Sequence, residues 1–242
     1  MIDIKNTLFV YINLDDRIDK REYMENQLSS MNLNYVRFSA IQPTRESLIE
    51  GEYKSFYDRS VRWLKLYLDS DDPKYNKLSL GTFGCYLSHY FALKQYSSKY
   101  SSVVILEDDV MFNIQNLKKF FRMTSDFNLN DLELCRPRYG QILKELNSVG
   151  SLGFSFNSVH RNSKYADDSN CHCMFHATHF VYYHNINKVL DYLDDENVFN
   201  IDAIYCSNYI NSFLIDAKIH QNRKLFSSDI GSYQSVNKVD KT

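Results

Sequence analysis

Two apolar runs restrict the folds that are open to this chain. Residues 7–14 form a nearly continuous apolar run, and residues 102–106 contain the β-branched series Val103, Val104 and Ile105. Runs of this kind are typical of strands that are buried on both faces of a parallel sheet. Because helical patterns separate them, the sequence predicts an α/β fold with an open, mostly parallel sheet and helices on both faces.

The rest of the chain continues this alternation. After the first strand, Asp15 or Asp16 is placed to cap a helix in which Met24, Leu28 and Met31 share one face. The other predicted helices cover residues 56–68, 79–99, 186–193 and 201–211, a charged loop covers 69–77, and the other predicted strands cover 35–41, 132–135, 174–183 and 213–219.

Composition excludes several classes of protein. The chain has 28 Lys and Arg residues against 30 Asp and Glu residues, so it lacks the basic surface that binds nucleic acid. No apolar run approaches the roughly 18 residues that span a bilayer, and membrane contact is expected to be peripheral at most. The first apolar run leads into charged residues and not into a small-residue cleavage site, and five Cys residues do not suit a disulfide framework. We therefore expect a cytoplasmic protein with reduced thiols.

The apolar run over 102–106 ends in three consecutive carboxylates, Glu107, Asp108 and Asp109. In an open α/β sheet, ligands bind beyond the carboxyl ends of the strands, which is where this triplet is predicted to lie. Adjacent carboxylates repel one another unless a positive charge lies among them. Mg²⁺ or Mn²⁺ suits this position, because both ions take oxygen ligands and are shared with substrate phosphates. The triplet predicts metal-assisted chemistry on a diphosphate, and a solvated acidic turn is the alternative.

The triplet is one of several motifs that together resemble a known family. The motifs are residues 10–21 (VYINLDDRIDKR), 84–89 (GCYLSH), 104–110 (VILEDDV), 178–182 (THFVY), 200–202 (NID) and 227–230 (SSDI). In this order they resemble glycosyltransferase family 25, the group of bacterial lipooligosaccharide galactosyltransferases and collagen galactosyltransferases.

The resemblance implies a GT-A-like fold and a metal-dependent glycosyltransferase. Such an enzyme would move a hexose, expected to be galactose, from a UDP-sugar to a hydroxyl of a glycan, lipooligosaccharide or glycoprotein acceptor, with inversion. Mn²⁺ or Mg²⁺ is the implied cofactor. A metal-dependent phosphatase or nuclease-type hydrolase and a catalytically inactive UDP-binding module are the alternatives.

The chain is expected to form one glycosyltransferase domain over residues 1–242. Its nucleotide-binding half is expected to cover about 1–125 and its acceptor-side half about 126–235.

By this resemblance, the turn after the first strand faces the nucleotide. Asn13, Asp15 and Arg17 are therefore candidate contacts for uridine or phosphate. An Arg side chain offers a planar fork of donors that suits phosphate oxygens. The alternative is that Asp15 caps a helix and Arg17 is an exposed residue of its first turn.

The second motif supplies candidates near the donor sugar or diphosphate. The resemblance places Ser88 and His89 there, although a lone His on a helix is otherwise a packed or solvated residue. Gly84 suits a close approach of the backbone to a ligand, or else close packing of the helix.

The candidate metal ligands lie in the acidic triplet and after the last predicted strand. Asp108 and Asp109 are the candidate ligands, with Glu107 as a supporting partner or a ligand through water. Asp229 and His220 follow the last predicted strand, where related architectures close the metal site or the diphosphate.

An inverting transferase also needs a base that removes the proton of the acceptor hydroxyl. By resemblance, Asp202 is the carboxylate in the best position for this role. Its alternative role is a favourable charge at a helix N-terminus.

Two regions match the family less well. Relatives tend to be Gly-rich before Thr178, which is not so here, and residues 136–170 match no motif and are predicted to form loops. Cys171 and Cys173, with neighbouring His residues, offer zinc ligands, but their spacing differs from the usual pattern and suits one face of a strand.

Overall fold

The computed structural model describes residues 2–126, 133–137, 160–161, 179–195, 198, 201, 210, 212–215, 217, 219–222 and 225. The strands are β1 (Leu8–Asn13), β2 (Asn34–Ser39), β3 (Val103–Glu107), β4 (Val110–Met111), β5 (Leu134–Pro137), β6 (His160–Arg161), β7 (Phe180–Tyr183), β8 (Ser212–Ile215) and β9 (His220–Gln221). The helices are α1 (Ile18–Ser30), α2 (Arg45–Ile49), α3 (Lys54–Asp58), α4 (Arg62–Leu68), α5 (Pro73–Ser97), α6 (Ile114–Ser125) and α7 (Ile186–Asp195). None of the helices in these residues combines the length and the hydropathy of a membrane-spanning segment.

In the described residues, seven strands form one sheet in the order β2-β1-β3-β7-β5-β8-β6. Strand β1 is parallel to both β2 and β3, and β5 is parallel to β8. Strand β7 runs antiparallel to β3 and β5, and β6 runs antiparallel to β8. Five of the strands therefore share one direction, which confirms the mostly parallel α/β sheet.

Side-chain alternation along the central strands divides the core into two layers. Val10 and its neighbours two residues away pack with α2, α3, α4, α5 and α7, whereas Phe9 and Tyr11 pack with α1 and α6 on the other face. Val10 and Phe9 are both fully buried. This arrangement follows from the period of two in a strand, and it confirms that helices cover both faces of the sheet.

Helix α5 begins earlier than the predicted start at residue 79. Pro73 occupies its first turn, and the Asp72 side chain accepts a hydrogen bond of 2.9 Å from the Lys74 N–H. A Pro at the first helical position and an Asp cap are favourable because the first N–H groups of a helix lack partners within it. The charged segment is therefore partly the first turn of α5, and the predicted loop over 69–77 is wrong from Pro73 onward.

The single helix predicted over 56–68 is two helices, α3 and α4. The interruption comes from Val198, which forms a strand-like bridge with Ser60. The Val61 N–H donates to the Val198 carbonyl, and the Val198 N–H donates to the Arg59 carbonyl. These bonds take backbone groups out of the helical pattern, and no local sequence signal predicts them.

The predicted cap of α1 is also wrong. The helix begins at Ile18 after Arg17, which makes no capping hydrogen bond through its side chain. Asp15 instead accepts hydrogen bonds from Arg37 and from Ser39 at the end of β2. The Asp15 carboxylate, predicted to cap the helix, is thus bound by side chains of β2 instead.

Apart from one loop, the remaining predicted helices and strands agree with the structure within a few residues where the chain is described. The predicted loop over 136–170 is wrong at four described residues, which belong to β5 and β6. Of the helix predicted over 201–211, only residues 201 and 210 are described.

Gly84 and Ser88 hold the segment over residues 40–43 against α5. A Cβ atom at Gly84 would lie 2.7 Å from the Ile41 carbonyl oxygen and 3.2 Å from Pro43 Cδ. The Ser88 hydroxyl accepts a hydrogen bond of 2.8 Å from the Ile41 N–H and donates one of 2.6 Å to the Gly84 carbonyl. The helix and the segment therefore approach too closely for any larger residue at position 84.

We expect Gly84→Ala to lower the free energy of unfolding by about 1–3 kcal/mol, because overpacking against backbone outweighs the better helix propensity of Ala. Chemical denaturation measures the change. Gly81→Ala on the same helix is the control for helix propensity. A Gly84→Ala protein as stable as the Gly81→Ala protein would contradict the close packing.

Candidate active site

A cavity of about 700 Å³ lies beyond the carboxyl ends of β1 and β3. Helix α5 and the segment over 40–43 form much of the rest of its wall. Parallel sheets bind ligands at this edge, and the volume is typical of small-molecule sites. Six of the predicted site residues line the cavity: Gly84, Ser88, His89, Glu107, Asp108 and Asp109.

Other predicted site residues lie elsewhere. Within the described residues, Asn13, Asp15, Arg17 and His220 are not part of the cavity wall. Asp202 and Asp229 lie outside the described residues, as do the two Cys residues of the 171–173 cluster.

Asp108 is held by a buried cation that the sequence analysis missed. Lys20 Nζ lies 3.0 Å from Asp108 Oδ1, and the two residues are 2% and 8% exposed. The Asn13 side-chain amide donates a hydrogen bond of 2.9 Å to Asp108 Oδ2. Lys20 thus supplies positive charge to the triplet, which the sequence analysis attributed to a metal ion alone.

A signal for Lys20 was present in the sequence. Met24 and Leu28 form the buried face of α1, and Lys20 lies one turn earlier on that face. A charged residue at such a position is buried only when it is paired, so it indicates a partner from another element.

Asn13 organises the turn after β1. Its Oδ1 accepts a hydrogen bond of 3.0 Å from Arg37 Nε, and its Nδ2 donates one of 3.1 Å to the Arg17 carbonyl. Arg37 also donates to the Asn13 carbonyl and to Asp15, and the Arg37 hydrogen bond lowers the pKa of Asp15. These contacts support the turn, and contact with a nucleotide stays a prediction for Asn13 and Asp15.

The Arg17 guanidinium faces a carboxylate at the surface. Its Nε and Nη2 lie 3.0 and 2.9 Å from the two oxygens of Asp19. This hydrogen-bonded pair lowers the pKa of Asp19 to about 2. A phosphate contact by Arg17 stays a prediction, and it would require exchange of the Asp19 carboxylate for phosphate oxygens.

The pairing of β9 with β4 places residues 221 and 222 against the acidic triplet. Gln221 Nε2 donates a hydrogen bond of 3.3 Å to Glu107 Oε2, and the Asn222 N–H donates one of 2.7 Å to the Asp109 carbonyl. His220 pairs with Met111 in this ribbon. The pairing brings Gln221, which the sequence analysis did not select, to the cavity wall.

His89 lies deep in the cavity wall. It is 1% exposed, and its Nδ1 lies 3.2 Å from the Tyr183 hydroxyl oxygen. Burial lowers the pKa of His89 to about 3, so the imidazole is neutral near pH 7. A neutral imidazole orients a ligand by hydrogen bonding but does not supply a positive charge to a diphosphate.

Cys85 also lines the cavity and was missed. It precedes His89 by four residues, so both side chains lie on one face of α5. Ligand atoms of Cys85, His89 and Glu107 lie within 4.8 Å of one another. In the described part of the chain, this is the one group of three His, Cys, Asp or Glu residues whose ligand atoms come so close.

The described acidic residues offer the oxygen ligands that a hard cation prefers, but both carboxylate oxygens of Asp108 already have partners in the protein. Its two oxygens contact Lys20 and Asn13. Asp109 offers carboxylate oxygens at the cavity wall, which are the ligands that Mg²⁺ and Mn²⁺ prefer. Ligation by Asp108, Asp109, His220 and Asp229 stays a prediction.

Comparison with known proteins identifies the family. Residues 6–180 match the sequence profile of glycosyltransferase family 25, described as an LPS biosynthesis protein. The match covers more than half of the chain, so the chain belongs to glycosyltransferase family 25. This result confirms the resemblance seen in the sequence, and the mixed sheet is consistent with a GT-A-like fold.

Several named relatives share part of this chain. Procollagen galactosyltransferase 1-A of Xenopus laevis is 30% identical over 127 residues, which are 52% of this chain and 19% of the relative. A glycosyltransferase 25 family member of Aedes aegypti is 31% identical over 103 residues, or 42% of this chain and 16% of the relative. The chain thus aligns with less than a fifth of the length of either relative.

We expect Lys20→Met to lower the free energy of unfolding by about 3–5 kcal/mol, because it leaves the Asp108 carboxylate buried without the Lys20 ammonium. The double variant Lys20→Met/Asp108→Asn removes both charges and should recover much of this loss. Denaturation of the two single variants and the double variant completes a double-mutant cycle.

Arg17→Met is the control, since it removes an exposed ion pair and should change stability much less. Equal losses for Lys20→Met and Arg17→Met would contradict the buried pair.

Proposed function

We propose that this chain is a glycosyltransferase that moves a hexose, expected to be galactose, from a UDP-sugar to a hydroxyl acceptor on a glycan or glycoprotein, with inversion. One observation supports the proposal more than any other. Three motifs that are far apart in sequence line a single cavity, with Lys20 from the first, His89 from the second and Asp109 from the third.

The lining of the cavity supports the proposed nucleotide-sugar donor. Apolar side chains such as Ile12, Leu14 and Leu80 form part of its wall and suit the flat base of a nucleotide. Lys20 and the acidic triplet lie at its polar side. In this proposal the diphosphate lies at the polar side, beyond the carboxyl end of β3.

A Mn²⁺ or Mg²⁺ ion would neutralise the charge on the departing UDP. Asp109 is the proposed ligand among the residues on the cavity wall, and Asp108, Asp229 and His220 are proposed as further ligands. Ligation by Asp108 would compete with its salt bridge to Lys20.

The acceptor half of the reaction depends on residues outside the described part. Asp202 is the proposed base, which would accept the proton of the acceptor hydroxyl as that oxygen attacks the anomeric carbon. We also propose that residues 1–242 form one domain, with the nucleotide in the half over about 1–125 and the acceptor in the half over about 126–235.

The names of relatives suggest two acceptor classes. The family description refers to LPS biosynthesis, and a matched relative is a procollagen galactosyltransferase. We propose that the acceptor of this chain is a hydroxyl of a lipooligosaccharide or of a glycoprotein.

Release of UDP from a panel of UDP-sugars tests the proposal. We expect chelator-stripped protein to hydrolyse or transfer from one donor when Mn²⁺ is added, and we expect Asp109→Asn to lower the rate by about 10²–10³, as loss of charge stabilisation does in other enzymes. Asp58→Asn, at an exposed pair with Lys54 on α3, is the control that should retain the rate.

Three outcomes would contradict the proposal in different ways. Full activity of Asp109→Asn would reject the proposed ligand. Release of inorganic phosphate from simple esters, without UDP-sugar turnover, would favour a hydrolase. UDP binding without turnover of any donor, in the presence of lipooligosaccharide and glycopeptide acceptors, would indicate an inactive binding module.

A further inference from the structure

We propose that Cys85, His89 and Glu107 form a Zn²⁺ site in the wall of the cavity. This site goes beyond the proposed transferase, because its ligands and its metal differ from those of the hard-cation site at Asp109. It also gives Glu107 a role of its own, in place of the supporting role that the sequence suggests.

The helix and the strand end place the three side chains together. Cys85 and His89 project from the same face of α5, one turn apart, and Glu107 is the last residue of β3. Their ligand atoms lie within 4.8 Å of one another. Zn²⁺ bonds of about 2.0–2.3 Å in tetrahedral geometry place ligand atoms about 3.5 Å apart. The side chains therefore need to move by only about 1 Å to bind one ion.

Neighbouring residues already orient two of the ligands. The Tyr183 hydroxyl lies 3.2 Å from His89 Nδ1, and in this proposal Nε2 is the nitrogen that would bind the metal. Gln221 Nε2 donates a hydrogen bond of 3.3 Å to Glu107 Oε2. Hydrogen bonds of this kind around a metal site fix the orientation of imidazole and carboxylate ligands.

The donor set favours Zn²⁺ over Mn²⁺ and Mg²⁺. Cys85 supplies a soft sulfur, His89 a nitrogen and Glu107 an oxygen, whereas Mn²⁺ and Mg²⁺ prefer oxygen alone. Three protein ligands leave the fourth position of a tetrahedral ion open. All three residues line the cavity, so this position would be filled by water or by an oxygen of a molecule bound there.

Titration of the chelator-stripped full chain with Co²⁺ under reducing conditions tests the site. Co²⁺ takes the place of Zn²⁺ and gives an absorption band when a thiolate binds it. We expect this band at one Co²⁺ per chain, its loss on addition of Zn²⁺, and its disappearance in Cys85→Ser. The dissociation constant for Zn²⁺ should rise about 100-fold or more in that variant.

Control variants separate this site from the other thiols. Cys135→Ser removes a buried thiol on the other face of the sheet, and Cys171→Ser/Cys173→Ser removes the other candidate cluster. Both should retain the band. A band that persists in Cys85→Ser and vanishes in Cys171→Ser/Cys173→Ser would overturn the proposal, and so would the absence of any band in the unmodified chain.

Glu107→Gln keeps the thiol and the volume but removes the carboxylate, and it serves if Cys85→Ser does not fold. We expect the dissociation constant for Zn²⁺ to rise about 10-fold or more. An unchanged constant in folded Glu107→Gln would overturn the three-ligand site. These measurements use neither donor nor acceptor, so a chain that binds Zn²⁺ but transfers no sugar would reject the proposed function alone.

Discussion

The buried salt bridge between Lys20 and Asp108 fixes the edge of the sheet on which the candidate site depends. It joins α1 to the end of β3, and Asn13 at the end of β1 completes the contact. A buried charge is stable only when it is paired. The Lys20 ammonium and the Asp108 carboxylate are therefore both paired only when the three elements lie together. The position of Asp109, one residue further on, follows from this constraint.

The sequence predicted those parts of the fold that depend on local patterning. Strands β1 and β3 follow from nearly continuous apolar runs and the buried face of α1 from its helical periodicity, because both patterns reflect burial. The break between α3 and α4 did not, because it depends on hydrogen bonds to Val198, more than 130 residues away. The start of α5 was missed for another reason: its capping residues, Asp72 and Pro73, lie within a charged stretch that suggested a loop.

The site was predictable in composition but less so in its internal contacts. The motifs led to His89 and the acidic triplet, which line one cavity. Motif position alone could not show that Gly84 and Ser88 hold the Ile41 backbone, nor that Lys20 pairs with Asp108. Pairing of residues 88 positions apart depends on tertiary structure, and only the helical spacing from Met24 gave a sign of it.

The pairing of β4 with β9 has a consequence for biosynthesis. Val110 pairs with Gln221, so the acidic edge is completed by a segment that leaves the ribosome more than 100 residues later. A nascent chain that has emerged only as far as residue 180 contains the whole region that matches the family profile, yet it lacks this strand. Since such distant contacts form slowly, the ligand-binding edge is expected to mature only after residues 220–222 have emerged, later than the parallel pairing of β1, β2 and β3.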